Sequence, residues 1–304
     1  MRSPVTGTLA VLSVLLSLTG CGGGGGGSSS VSSSAPVTNP PTPIPISFQA
    51  PSTTVAYDVS SASASVGSTG VTGSRIDDAG TGSTVTVVTD ASGNLSSVRF
   101  NIATPTQPFT NTYSAANLTA IPLLSLTDLA VLLNAAVNTP GANGFTTATS
   151  GLSVSTFGIW AANDNTSGRI GVFAGGTPTP VAAMPTTGTA TYNGTTIGAA
   201  ASSSAAYALA GNAQLVANFS TNTVNTTISN LQFENVSTNQ ITAQPNLTGT
   251  ASITGNQYKG PLAGGTLSGT STGTFYGPSA QETAGVWRVS GGGVTAIGSY
   301  GAKK

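Results

Sequence analysis

"GTFYGPSAQETAGVWRVSGG" (residues 273–292) reads as strand, turn and strand. The run "GGTLSGTSTGTFYG" (264–277) ends in two aromatic residues, and "GVWRVSG" (285–291) resumes with Val, Trp and Val. Aromatic and β-branched side chains suit a pleated, half-buried surface, whereas Gly, Pro and Ser serve turns. "PSAQETAG" is therefore the connection. Glu282 within it is expected to accept backbone N–H bonds and organise the turn, with a ligand-binding role as the competing reading. Trp287 alternates with Val286 and Arg288. That spacing points it into the interior enclosed by the strands; the competing reading is an exposed binding hot spot.

The same pattern continues on both sides. "GTATYNGTTIG" (188–198), "AYALAGNAQLVANFS" (206–220), "NTVNTTISNLQF" (222–233) and "NLTGTASITG" (246–255) precede it, and "TAIGSYGAK" (295–303) follows. Ala213, Leu215, Ala217 and Phe219 share one face, and Leu247, Gly249, Ala251 and Ile253 do the same. Asn230-Leu231 breaks the alternation and predicts a bulge or corner. About eight short strands in some 120 residues predict a closed antiparallel barrel, which leaves no exposed edges. Side chains can fill the interior of an eight-stranded barrel, or it can hold one small ligand; both options stand at this point.

A Pro/Gly-rich stretch, "GGTPTPVAAMPTTG" (175–188), puts a boundary near Met184. Upstream, "STVTVVT" (83–89) and "LSSVRFNI" (95–102) flank "DASGN" and predict a hairpin. "LSVSTFGIW" (152–160) and "GRIGVFAGG" (168–176) predict a second pair. Between them, Leu126, Leu129, Ala130, Leu133 and Val137 recur at helical spacing in "SLTDLAVLLNAAV" (125–137), with Ser125 and Asp128 placed as a capping pair. The expectation is one helix. The fold class is thus all-β: a C-terminal eight-stranded antiparallel barrel (185–304) behind a smaller β-rich domain with one helix (47–184).

Composition removes several functions. The 304 residues hold eight basic and eight acidic side chains, no His and one Cys. A net charge of zero offers no basic stripe for nucleic acid. A single Cys can form neither an internal disulfide nor a Cys/His zinc site. Without His, a Ser or Thr nucleophile lacks its usual base. Asp77-Asp78, "DASGN" and "NDNTSG" (163–168) offer carboxylates, but in Gly/Ser/Asn settings where Asp bonds its own backbone. Lys259, Lys303 and Lys304 are the only lysines. The expectation is a non-enzyme with no cofactor and no metal.

The chain opens "MRSPVTGTLAVLSVLLSLTGC". Arg2 supplies a basic start, and Leu9 to Leu18 is an apolar run of signal-peptide length, too short to cross a bilayer. Leu18-Thr19-Gly20-Cys21 resembles the bacterial lipobox. That resemblance implies a signal peptide over 1–20 and acyl chains on Cys21. The competing reading is an ordinary secretory signal with an incidental Cys. More than one acyl chain is needed for stable anchoring. Residues 21–46 then form a tether, running from Gly-rich through Ser-rich to Pro-rich. A coil of about 25 residues spans roughly 25–30 Å.

Phe275, Gly277, Ala280, Glu282, Gly285 and Trp287, with the ending "AIGSYGAKK", resemble the closing strands of the transferrin-binding-protein-B-like β-barrel. "GTATYNGTTIG", through Tyr192 and Gly194, resembles that family's opening strand, and "AQLVANFS" its second. The resemblance covers 185–304; the upstream region occupies the place of the family's "handle" domain. It implies a lipid-anchored protein of the bacterial outer membrane, exposed at the cell surface, that binds a host protein or a solute. It also implies an outer-membrane receptor or a surface-export translocon as a partner. The two-lobed transferrin receptors repeat the handle-barrel unit, whereas this chain has one. The alternative is a structural or adhesive envelope protein without a soluble ligand.

Overall fold

In "TATYNGTTIGAAAS", alternate side chains point to opposite faces and the segment forms a 14-residue strand. The same local rule builds the rest of the molecule. The computed structural model describes residues 54–67, 70–91, 95–103, 109–114, 128–133, 137–141, 144–148, 152, 154–163, 168–235 and 237–304. Its first ten strands are β1 (Thr54–Gly67), β2 (Gly70–Asp77), β3 (Thr84–Thr89), β4 (Leu95–Ile102), β5 (Phe109–Ser114), β6 (Asp128–Leu133), β7 (Val137–Gly141), β8 (Gly144–Ala148), β9 (Ser155–Asn163) and β10 (Gly168–Gly176). A 3-10 turn (Val181–Ala183) follows. Then come β11 (Thr189–Ser202), β12 (Ala206–Asn218), β13 (Thr223–Asn235), β14 (Ile241–Ala243), β15 (Leu247–Thr254), β16 (Gln257–Gly264), β17 (Leu267–Tyr276), β18 (Glu282–Gly291) and β19 (Val294–Lys303).

The C-terminal strands form a closed antiparallel barrel in the order β11-β12-β13-β15-β16-β17-β18-β19, with β19 pairing back onto β11. β14 lies beside the far end of β13. The predicted alternation is present: Ala213, Leu215, Ala217 and Phe219 are buried, while Gln214 and Ser220 face solvent. The predicted break is a bulge. Ala210 faces Gln232 and Asn212 faces Ser229, so Asn230 and Leu231 together oppose Gly211. Asn230 takes φ +49°, which Asn tolerates better than most residues. The bulge shifts the inward phase from Val224 and Ile228 to Leu231 and Phe233.

The interior is packed with side chains. Phe275 has the rings of Tyr258, Phe219 and Tyr192 at centroid distances of 5.1, 5.7 and 5.8 Å. Trp287 is fully buried, and its indole covers Gly298, where a Cβ would collide with the ring. Of the two options for the interior, the filled one fits these contacts.

The N-terminal strands make an open sheet, ordered β5-β4-β3-β1-β10-β9-β6, with β2 beside β1. Both predicted pairs are there: β3 with β4, and β9 with β10. β1 joins them, pairing β10 on one side and β3 on the other. The sheet curls enough for Phe100 of β4 to meet Phe173 of β10 edge-on at 5.0 Å, although two strands separate them. The expected helix over 125–137 is corrected. Asp128–Leu133 is β6, paired with β9 from Asp128↔Ala162 to Leu133↔Phe157, and Val137 opens β7. A six-residue run such as "DLAVLL" satisfies a helical stripe and a buried strand equally, and a waiting sheet edge favours the strand. Ser125 and Leu126 of the expected helix, and Cys21 with its tether, lie outside the described residues.

Candidate functional site

The six residues of the 275–287 motif divide between the barrel interior, which holds Phe275, Ala280 and Trp287, and the contact with the linker and sheet, made by Gly277 and Glu282. Gly277 takes φ +82°, which suits Gly after a strand. Its N–H donates to the Thr177 carbonyl at 2.8 Å, and its carbonyl accepts from Thr179 Oγ1 at 2.7 Å. Thr179 N–H donates to the Phe275 carbonyl at 2.9 Å. Asn256 Nδ2 donates to the Thr179 carbonyl at 2.7 Å. Residues 177–179 are thereby pinned along the end of β17.

Ala280 occupies the turn with φ +54° and no exposure. Its carbonyl accepts from the Tyr192 hydroxyl at 2.6 Å. Gln281 organises the turn itself: its Oε1 accepts from Ser279 N at 3.1 Å and from Ser279 Oγ at 3.3 Å. Lys304 lies nearby, with Nζ 5.6 Å from the Tyr192 ring centroid and donating to the Ser279 carbonyl at 3.2 Å. Partial burial lowers the Lys304 pKa.

Glu282 does accept backbone N–H bonds, but across the molecule. Its Oε2 takes Val154 N–H at 3.0 Å, Ser155 N–H at 2.9 Å and Ser155 Oγ–H at 2.8 Å. These donors sit at the start of β9, and the carboxylate is 2% exposed. A buried charge is tolerable only when hydrogen-bonded. Here the bonds join the N-terminal sheet to the barrel wall, while Gln281 bonds within the turn. Ser299 Oγ adds a second link, donating to the Gly158 carbonyl at 2.9 Å.

Gly285 leaves room for the Tyr300 ring, which a Cβ there would strike. Tyr300 and Tyr258 hydroxyls lie 2.9 Å apart, and Tyr258 shares a 2.7 Å bond with Thr283. Burial pushes the Tyr300 hydroxyl up to about 12 and Tyr258 well above its ordinary value, so both stay neutral and serve the core. Trp287 Nε1 donates to Thr196 Oγ1 at 2.9 Å, and that hydroxyl donates to the Ser299 carbonyl at 2.7 Å. Trp287 is an interior anchor.

The sequence reading missed the apolar seam around this motif. Ile197, Ala199, Ala284, Val286 and Ile297 on the barrel's outer wall pack against Ala62, Phe157, Ile159, Ile170 and Val172 of the sheet. Gly301 permits the approach, since a Cβ there would meet Phe157 and Leu152. A signal was available: β18 is buried on both faces from Glu282 to Trp287, and "IGAAA" in β11 has no polar alternation. The Asp78 side chain reaches β16 instead of its own backbone, with Oδ2 pairing Lys259 Nζ at 3.0 Å. The "NDNTSG" loop lies mostly outside the described residues. Among the described residues, no three His, Cys, Asp or Glu side chains gather to hold a metal.

Residues 184–304 match the family model for the C-lobe and N-lobe beta barrels of Tf-binding protein B. The match spans the barrel strands β11 to β19. Among solved structures, it is similar to transferrin-binding protein B from Haemophilus parasuis at 14% identity and TM-score 0.40, covering 73% of this chain and 51% of that one. For the isotype 1 protein from serogroup B Neisseria meningitidis the identity is 17% and the TM-score 0.40, covering 73% and 52%. For HpuA from Kingella denitrificans, solved with human haemoglobin, the identity is 16% and the TM-score 0.37, covering 85% and 89%. The chain thus spans about half the length of the first two. No curated protein sequence matches it significantly.

Proposed function

We infer that this chain, whose C-terminal barrel matches those of Tf-binding protein B, is a binding protein without catalytic chemistry. In this reading it is lipid-anchored to the bacterial outer membrane and exposed at the cell surface, where it captures a host protein or a solute. Residues 185–304 are the barrel domain, 47–184 the handle-like domain, 21–46 the tether, and Cys21 the acylated residue. The match to the family model is the observation that carries the reading.

The position of the motif supports this division of labour. Its side chains are buried in the barrel interior or, for Glu282, against the sheet, so ligand contact falls to exposed parts. These include the turn at Val181, 62% exposed, and the outward row Thr248, Thr250, Ser252 and Thr254 on β15. A receptor or export partner would use the same surfaces.

The test has two arms. Cys21→Ser should lose labelling by a palmitate analogue and release the protein from membranes; a mutant that still takes the label removes the anchor. Immobilised protein incubated with whole serum, and with transferrin alone, should retain a defined ligand, and protease added to intact cells should remove the protein from their surface. Retention of nothing, together with concentration-dependent self-association in sedimentation, would favour the structural or adhesive alternative.

A further inference from the structure

Pro261 stands in the middle of β16, a strand with neighbours on both sides. Proline has no N–H for a ladder and is found almost only on edge strands and at bulges. Its place in a closed barrel therefore needs a reason. Toward β17 the pairing is unbroken, from Gln257↔Thr274 to Gly264↔Leu267. Toward β15 it is interrupted. Thr254↔Gln257, Ile253↔Tyr258 and Ser252↔Lys259 are followed only by Thr248↔Ala263. The gap sets Gly249, Thr250 and Ala251 against Gly260, Pro261 and Leu262 with no change of register. The remaining seams run without such a gap, apart from the bulge at Gly211.

The strand least tied to β15 is tied elsewhere. Lys259 Nζ meets Asp78 Oδ2 at 3.0 Å, and Gln257 Nε2 donates to the Ala79 carbonyl at 3.3 Å. Both partners belong to the turn between β2 and β3. The Lys259 side chain is 53% exposed and that of Asp78 32%, so salt screens the pair.

We propose that the β15–β16 seam is the line along which this barrel opens, and that the Asp78–Lys259 pair is an outside clip that keeps β16 closed. Local opening follows the path that breaks the fewest hydrogen bonds, and here the ladder is already incomplete.

Amide hydrogen exchange on the full chain tests this without knowledge of any ligand. The amides of β15 and β16 should exchange about tenfold faster than those facing each other across β17 and β18. Lys259→Gln, or added salt, should speed them several-fold further. Pro261→Val, which restores the missing N–H, should slow them to the level of the neighbouring seams. Equal protection of the two seams in the wild type overturns the proposal, as does fast exchange that persists in a folded Pro261→Val protein. Should Pro261→Val fail to fold, Lys259→Gln decides: unchanged exchange at β16 removes the clip.

Discussion

The barrel and the N-terminal sheet are built from the same Thr-, Ala- and Gly-rich chain, yet they are completed differently. Barrel strands pair with near neighbours in sequence, and the ring closes when β19 meets β11. In the sheet, β1 bridges β3 and β10, so two sequence-distant hairpins depend on one early strand. One core lies inside the barrel; another is shared, half on the sheet and half on the barrel's outer wall. A closed sheet satisfies its own edges, whereas an open one must borrow a cover.

Separating the two regions tests this most severely. Residues 185–304 alone should unfold cooperatively as β structure, because the ring and its core are intact. They should also bind a hydrophobic dye through the bared Ile197, Val286 and Ile297 wall, and lose at least about 3 kcal/mol relative to the full chain. Residues 47–184 alone should show no cooperative transition by circular dichroism. A stable, dye-silent barrel fragment would mean that the shared seam contributes little.

Substitution at Glu282 makes a smaller break in the same seam. Ala leaves the Val154 and Ser155 donors without their acceptor, at a cost of about 2–4 kcal/mol in denaturant titration. Gln keeps one acceptor oxygen and should lose about 1 kcal/mol. Equal losses for Ala and Gln would show that the hydrogen bonds are not what matters there.

The smallest effect concerns Glu234, on the outside of the barrel beyond the bulge. Its Oε2 is buried without a partner, and burial raises its pKa. A carboxyl raised on folding favours the native state while protonated, and that contribution is lost as pH rises through the raised value. Thermal stability from this group should therefore decline upward through the carboxylate range. Glu234→Gln should flatten that slope and raise Tm at neutral pH by a few degrees. Parallel pH profiles for mutant and wild type would show that Glu234 is solvated after all.

Legibility followed the same divide. In the barrel, one face meets side chains and the other water, so Ala213, Leu215 and Ala217 announced their side and Asn230-Leu231 its irregularity. β16 is not among the expected strands, and Pro261 in its middle runs against a strand pattern. In the sheet, pairing between β1 and β10 has no local signal, and the run at 128–133 carried a helical spacing that its sheet neighbour overrides. The motif at 275–287 was visible as residues, but its partners were not. The Glu282 donors lie 127 and 128 positions upstream, a separation that no local pattern encodes.

Of the barrel strands β19 is synthesised last, and it touches both β18 and β11. Until Val294–Lys303 arrives, the ring is a ribbon with two raw margins, and the surface awaited by the earlier sheet has not formed. Non-local closure of this kind is slow. Before β19 is made, the barrel therefore stays an open ribbon with apolar side chains uncovered. Truncation just before Val294, which removes β19, should yield insoluble or degraded product and not a shorter working protein.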